Sequence, residues 1–103
     1  APVLDAYVAA LSSPGAVHAM CEDYRASATI DLEHDRADRE AGRTPEVPLR
    51  VLWGEHGVIE SQFEPLALWG KAVPGATGRA VDAGHYLPEE APEEVLAEML
   101  AFF

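Results

Sequence analysis

The chain has 103 residues, the length of one small globular domain, and its apolar fraction of 49% permits a hydrophobic core. Its 18 acidic and 7 basic residues give a formal net charge of -11. This charge argues against nucleic acid or an anionic membrane as a partner, because phosphate-rich surfaces would repel the protein. One cysteine cannot form an internal disulfide. Neither a membrane-spanning apolar run nor a signal-peptide pattern is present. The sequence therefore predicts a cytoplasmic protein.

The amino-terminal part of the chain has the apolar spacing of helices. A first helix is predicted over Pro2–Leu11, ended by Ser12-Ser13-Pro14-Gly15. A second helix carries an apolar stripe made of Val17, Met20, Cys21, Tyr24 and Ala28. The stripe predicts that Cys21 is a small buried hydrophobe and that Tyr24 is buried, with a partner for its hydroxyl.

A third helix is predicted from Asp31 to Glu40, where charges of both signs alternate. This mixture is typical of a solvated helix face with mutual charge pairs. Its carboxylates and His34 do not predict a metal site, because the interleaved arginines would oppose a cation. The ligand spacings His-x-x-x-His and Cys-x-x-Cys do not occur, so we predict no metal site.

The pattern changes at Pro45-Glu46-Val47-Pro48, after which strands alternate with helices. The predicted elements are a strand over Leu49–Trp53, a loop over 54–61, a helix through Leu66, Leu68 and Trp69, a strand from Arg79 to Asp82, and a last helix from Pro92 to Phe103. A strand, a crossover helix and a second strand form a parallel pair. The sequence therefore predicts an α/β chain with helices over residues 1–44 and a strand-helix-strand-helix unit over residues 45–103.

A sheet of two parallel strands presents a physical difficulty. Parallel sheets are normally buried on both faces and contain several strands. Alone, this chain would leave strand edges and apolar helix faces uncovered. We therefore expect it to associate with itself, to be molten, or to pair with a companion segment that supplies the rest of the fold.

His85 is the candidate catalytic residue, as a general base. It follows the second strand and Gly84, and it precedes a helical segment, which places it where loops at the carboxyl ends of parallel strands line a crevice. An imidazole exchanges protons near neutral pH. A surface histidine without a catalytic role is the alternative interpretation. Glu89 and Glu90 are interpreted as residues of a helix first turn, where carboxylates favour the helix dipole.

Three stretches resemble the carboxyl-terminal part of an α/β-hydrolase, and more narrowly of the haloacetate (fluoroacetate) dehalogenases. They are Cys21–Ala26 with Asp31 and His34-Asp35, Val51–Glu55, and Ala83–Pro92, and with their spacing they cover nearly the whole chain. The last stretch is common across α/β-hydrolases, including epoxide hydrolases. The Asp-Tyr-Arg-Ala helix at Asp23–Ala26 is the more selective signal. The resemblance implies that residues 1–44 end a helical cap and that residues 45–103 are the last two strands and helices of the core.

The resemblance also implies roles for two side chains. In that family the matching histidine activates the water that hydrolyses an aspartyl ester, which implies His85 as the base. The family's cap tyrosine helps to bind the departing halide, which implies Tyr24. The implied substrate is a small 2-haloacid, and the implied reaction uses no cofactor. The acid often found in the loop after the preceding strand is replaced by Gly57, so the acid is expected elsewhere, with Glu55 and Glu60 as weaker substitutes.

Other residues that the family requires lie outside these 103 residues. They include the nucleophile, the arginines that hold the substrate carboxylate and the acid partner. Without a nucleophile the triad cannot operate, so the isolated chain is expected to be inactive. One alternative is another α/β-hydrolase activity such as epoxide hydrolysis, in which Tyr24 would protonate the epoxide oxygen. A non-catalytic acidic binding or assembly fragment is the alternative from a different class.

Overall fold

A computed structural model describes all 103 residues, which form two compact units, Ala1–Arg43 and Thr44–Phe103. The first unit contains the helices α1 (Pro2–Leu11), α2 (Ala16–Ser27) and α3 (Ile30–Glu40). The second contains β1 (Arg50–Gly54), α4 (Val58–Gln62), α5 (Pro65–Ala72), β2 (Thr77–Val81), α6 (Leu87–Glu90) and α7 (Pro92–Phe102).

The three helices of the first unit bury no side chain. Gly15, with φ of 82°, turns the chain between α1 and α2, a conformation in which glycine has no steric penalty. The exposure predicted for α3 is confirmed. The burial predicted for the α2 stripe is wrong, because Tyr24 is 78% exposed and Cys21 is exposed. The amphipathic pattern correctly predicts a helix, but this unit contains nothing that covers its apolar face.

The second unit is built on the parallel pair of β1 and β2, in a register that runs from Arg50 opposite Thr77 to Gly54 opposite Val81. The predicted strand at Arg79–Asp82 begins and ends too late, since pairing with β1 extends back to Thr77. The loop predicted over 54–61 is also partly wrong, because α4 begins at Val58. Both strands end at the same edge of the sheet, and the loops that follow them lie side by side.

The core of the second unit is small. Its buried apolar side chains are Val73, Val81 and Ala83, together with Pro65 at the start of α5. On one side of the sheet, Glu98 of α7 accepts hydrogen bonds from Arg50 of β1 and from Arg79 of β2, the latter at 2.7 Å. These charge-assisted bonds attach the last helix to both strands.

Many large apolar side chains remain exposed in both units. In α7 and the residue after it, they include Leu96, Met99, Leu100 and Phe103. The prediction that apolar helix faces are left uncovered is therefore confirmed. None of the helices has the length and apolar character required to cross a bilayer.

Candidate functional site

His85 lies on the short loop from Asp82 to Tyr86, between the end of β2 and the start of α6. Its side chain is exposed, and its ring meets the Tyr86 ring edge to face, with centroids 5.2 Å apart and planes at 77°. The predicted position of His85, at the carboxyl end of a parallel strand, is therefore where the structure has it. An imidazole so exposed is accessible to water.

The backbone on both sides of His85 is held by one carboxylate. The Gly84 N–H donates to Glu90 Oε2 at 2.6 Å, and the Tyr86 N–H donates to Glu90 Oε1 at 3.0 Å. The backbone of α6 closes the same turn, since the Glu90 N–H donates to the Tyr86 carbonyl at 3.0 Å. The hydrogen bonds from Gly84 and Tyr86 lower the pKa of Glu90, because they stabilise its charged form.

Two glycines allow the loop to take this position. A Cβ on Gly84 would lie 2.8 Å and 3.0 Å from the two Glu90 carboxylate oxygens, so the carboxylate occupies space that a larger residue would fill. A Cβ on Gly54, the last residue of β1, would overlap the Gly84 carbonyl oxygen and lie 2.7 Å from the Ala83 oxygen. The end of β1 therefore packs directly against the backbone of the His85 loop.

A second histidine bridges the two loops at this edge of the sheet. His56 Nε2 lies 2.6 Å from Asp82 Oδ1, and the His56 N–H donates to the Ala83 carbonyl at 3.1 Å. The Asp82 hydrogen bond raises the pKa of His56, because the carboxylate favours the protonated imidazole. Both side chains are exposed, so the pair fixes the loops in position more than it excludes water.

Neither substitute acid considered in the sequence is hydrogen-bonded to the candidate base. Glu60 of α4 accepts a hydrogen bond from the Trp53 indole, which holds its carboxylate beside β1. The Glu55 N–H continues the strand ladder to the Val81 carbonyl at 2.9 Å. No side chain of this chain accepts a hydrogen bond from the His85 ring. An acid partner for His85, as the sequence predicts, would come from outside these residues.

Tyr24 lies on α2, in the first unit, where it borders a shallow surface hollow together with Met20, Cys21 and Arg25. Beside it, the Arg25 guanidinium is hydrogen-bonded to Glu22. The assignment of Tyr24 and His85 to one site stays a prediction. No three side chains of His, Cys, Asp and Glu are grouped as ligands for a metal ion.

Sequence reasoning missed the role of Glu90 and the pair formed by His56 and Asp82. The sequence pattern assigns Glu90 only to a helix first turn, although a first-turn carboxylate can reach back to N–H groups that precede the helix. The His56 pair was detectable in principle, since His56 closely follows the first predicted strand and Asp82 is the last residue of the second, its predicted parallel neighbour. Parallel neighbours end at the same edge of a sheet.

Known proteins were compared with the whole chain. A scan against models of protein families gives no match. The chain is 32% identical to a fluoroacetate dehalogenase from a Burkholderia species over 101 residues, which are 95% of this chain and 33% of that protein. The structure of a candidate epoxide hydrolase from Pseudomonas aeruginosa superposes with a TM-score of 0.84 at 42% identity, over 96% of this chain and 33% of that one. A candidate acyltransferase from Salmonella enterica gives a TM-score of 0.81 at 35% identity, over 93% of this chain and 31% of that one.

All three similarities extend along nearly the whole chain, which spans about a third of the length of each relative. The helices and the two-stranded parallel sheet match the carboxyl-terminal part of these structures. The chain therefore has the fold of the carboxyl-terminal portion of an α/β-hydrolase, and its sequence is similar to about a third of each of these relatives.

Proposed function

We propose that this chain supplies the base-bearing part of a hydrolase that cleaves the carbon–halogen bond of small 2-haloacids. The observation that carries the proposal is the place of His85, on an exposed loop at the carboxyl end of β2. Similarity to a fluoroacetate dehalogenase over nearly the whole chain supports the choice of substrate class.

The proposed reaction has two steps, and the chain takes part in both. In the first, an aspartate carboxylate outside these 103 residues attacks the α-carbon of the haloacid, forming an ester and releasing halide. In the second, water attacks the ester carbonyl while His85 accepts its proton, which regenerates the aspartate and releases the 2-hydroxyacid. The exposed imidazole of His85 suits the second step, because the attacking water must reach it.

Tyr24 would act in the first step. A phenol hydroxyl donates a hydrogen bond, and a donor aimed at the departing halide stabilises the charge that develops there. The side chain is 78% exposed, so its hydroxyl is available for such a contact. In an excluded-water pocket completed by other parts of the protein, this bond would be stronger than in water.

Epoxide hydrolysis is the second candidate function. The similarity to a candidate epoxide hydrolase, at 42% identity, favours it. In that reaction Tyr24 would donate to the epoxide oxygen as the ring opens, and His85 would again activate water. The two candidates therefore use the same residues of this chain and differ in the group that the tyrosine stabilises.

A chimeric enzyme separates the two functions. The segment of the Burkholderia dehalogenase that matches this chain is replaced by the 103 residues, and the purified chimera is assayed with fluoroacetate, by fluoride release, and with an epoxide, by diol formation. We expect fluoride release. The His85→Asn chimera should lose roughly 10²- to 10⁴-fold in kcat, as expected when a general base is removed.

The matched control is His18→Asn, which removes an exposed histidine from the surface of α2. It should retain the activity of the parent chimera. Fluoride release that is equal in all three proteins would show that His85 is not the base. Diol formation without fluoride release would replace the dehalogenase proposal with epoxide hydrolysis.

A further inference from the structure

Glu90 is the only side chain whose carboxylate binds the backbone on both sides of His85. Its two oxygens accept from Gly84 and from Tyr86, the residues immediately before and after the histidine. A bidentate arrangement of this kind restrains two peptide groups at once, and hydrogen bonds to a charged acceptor are stronger than neutral ones. The conformation of the residue between those peptide groups is restrained as a result.

We propose that Glu90 is the positioning residue for His85: its carboxylate fixes the loop so that the imidazole is presented at the edge of the sheet. The part of this inference that concerns catalysis rests on the proposed function, whereas the restraint on the loop does not. Glu90 acts through His85 and needs no contact with substrate.

The glycine at position 84 supports the inference independently. Both carboxylate oxygens of Glu90 lie within 3.0 Å of the place where a Cβ of residue 84 would be. The carboxylate therefore fits against the backbone only because residue 84 has no side chain. The loop and the carboxylate are complementary in shape as well as in hydrogen bonding.

The charges around Glu90 are consistent with this role. The positive forms of the His56 and His85 imidazoles favour the ionised state of the carboxylate. With the lowered pKa of Glu90, the restraint is complete at neutral pH, where the carboxylate is ionised. It should be lost only as pH falls through that lowered value.

The first test measures amide hydrogen exchange at residues 84 and 86 in the 103-residue chain, by mass spectrometry with fragmentation to single residues. In Glu90→Gln one carboxylate oxygen becomes an NH₂ group, which cannot accept a hydrogen bond. We expect at least one of the two amides to exchange about three- to tenfold faster, allowing for the exposure of the bond. Glu89→Gln removes the same charge from the neighbouring residue, whose side chain makes no hydrogen bond to the loop, and should leave both rates unchanged.

Exchange at Val51 and Trp53, the β1 residues whose N–H groups face β2, reports whether the variant keeps its fold. If those amides also lose protection in the variant, the substitution has disturbed the fold. A pH series on the parent chain then tests whether the Glu90 carboxylate restrains the loop. Protection at residues 84 and 86 should then fall as Glu90 is protonated, while the β1 amides stay protected. Equal effects of Glu89→Gln and Glu90→Gln, or protection at residues 84 and 86 that does not change with pH, would overturn the inference.

The second test uses the chimera described above. Glu90→Gln should lower kcat several-fold with little change in KM, since Glu90 is proposed to orient the base and not to bind substrate. Loss of the restraint together with unchanged kcat would show that the loop does not need it for catalysis, and the inference would fail while the proposed function stood. The opposite outcome is also distinguishable. If exchange confirms the restraint but His85→Asn does not change the activity of the chimera, the restraint is established and the proposed function is wrong.

Discussion

Gly54 ends β1 at the point where the backbone of the His85 loop comes closest to the sheet. The residue is buried, and a Cβ there would overlap the Gly84 carbonyl oxygen. The obstructing atoms belong to the backbone of a loop already held by Glu90 and by the pair of His56 and Asp82. Neither the His85 loop nor the end of β1 can therefore move without breaking other hydrogen bonds.

Gly54→Ala is accordingly expected to destabilise the protein by about 1 to 3 kcal/mol, the usual range for overpacking a filled site. Urea unfolding followed by tryptophan fluorescence measures the change. The control is Gly70→Ala in α5, where a Cβ meets no atom within 4 Å. It should be neutral or stabilising by roughly 0.5 to 1 kcal/mol, because alanine favours a helix. A Gly54→Ala protein as stable as Gly70→Ala would show that the loop is free to shift.

For individual residues, the sequence predicted the position of His85 but not the residues that hold its loop in place. A strand followed by glycine, histidine and a helix start is a local pattern, and local patterns can be read from neighbouring residues. The close approach of Gly54 to Gly84, and the pair of His56 and Asp82, join segments that are distant in sequence. Such contacts depend on the register of the two strands. The alternation of apolar and polar residues along a strand does not predict that register.

Among the helices, α7 has the most specific attachment to the sheet. Glu98 is the centre of that attachment: its side chain is 12% exposed, and it accepts from Arg50 and Arg79 of the two strands. Glu94, one turn earlier, adds a bond to Arg79 at 3.2 Å. The hydrogen bonds from Arg79 and then Arg50 lower the pKa of Glu98.

We therefore expect Glu98→Gln to loosen α7, with faster amide exchange in the segment from Val95 to Phe102. Because the pKa of Glu98 is lower in the folded chain than in the unfolded one, its contribution to stability is present above the ordinary pKa and is lost as pH falls through the folded value. The difference between parent and variant should thus disappear in acid. Glu93→Gln, at an exposed position in the first turn of the same helix, is the control and should leave exchange in that segment unchanged. Equal exchange in both variants would contradict the role given to Glu98.

Helix positions were predictable to within one or two residues in α1, α2, α3 and α7, because apolar periodicity and proline or glycine signals agree there. The strands were displaced, since Thr77 and Gly78 lie next to a turn and belong to β2 only through pairing with β1. The short helix α4 has too few residues to show a periodicity. Its presence depends on the loop geometry after β1.

Both units leave large apolar side chains exposed. In the second unit Phe103 is 95% exposed and Leu100 is 74% exposed. In the first unit Val3 is 60% exposed and Leu4 is 59% exposed. The pattern of apolar residues predicted helices that need a covering surface, and that surface is not within these residues.

From these exposed apolar side chains we expect the isolated chain to self-associate. Size-exclusion chromatography with light scattering, over a range of protein concentrations, should give a mass above 11.1 kDa that rises with concentration. Replacing Leu96 and Leu100 by glutamine should lower the mass, because both are exposed apolar residues of α7. Replacing Glu89 and Glu93 by glutamine is the control, since both are exposed polar residues at the starts of α6 and α7, and the mass should not fall. A concentration-independent mass of one chain would mean that the exposed apolar faces are tolerated in water, and that nothing has to cover them.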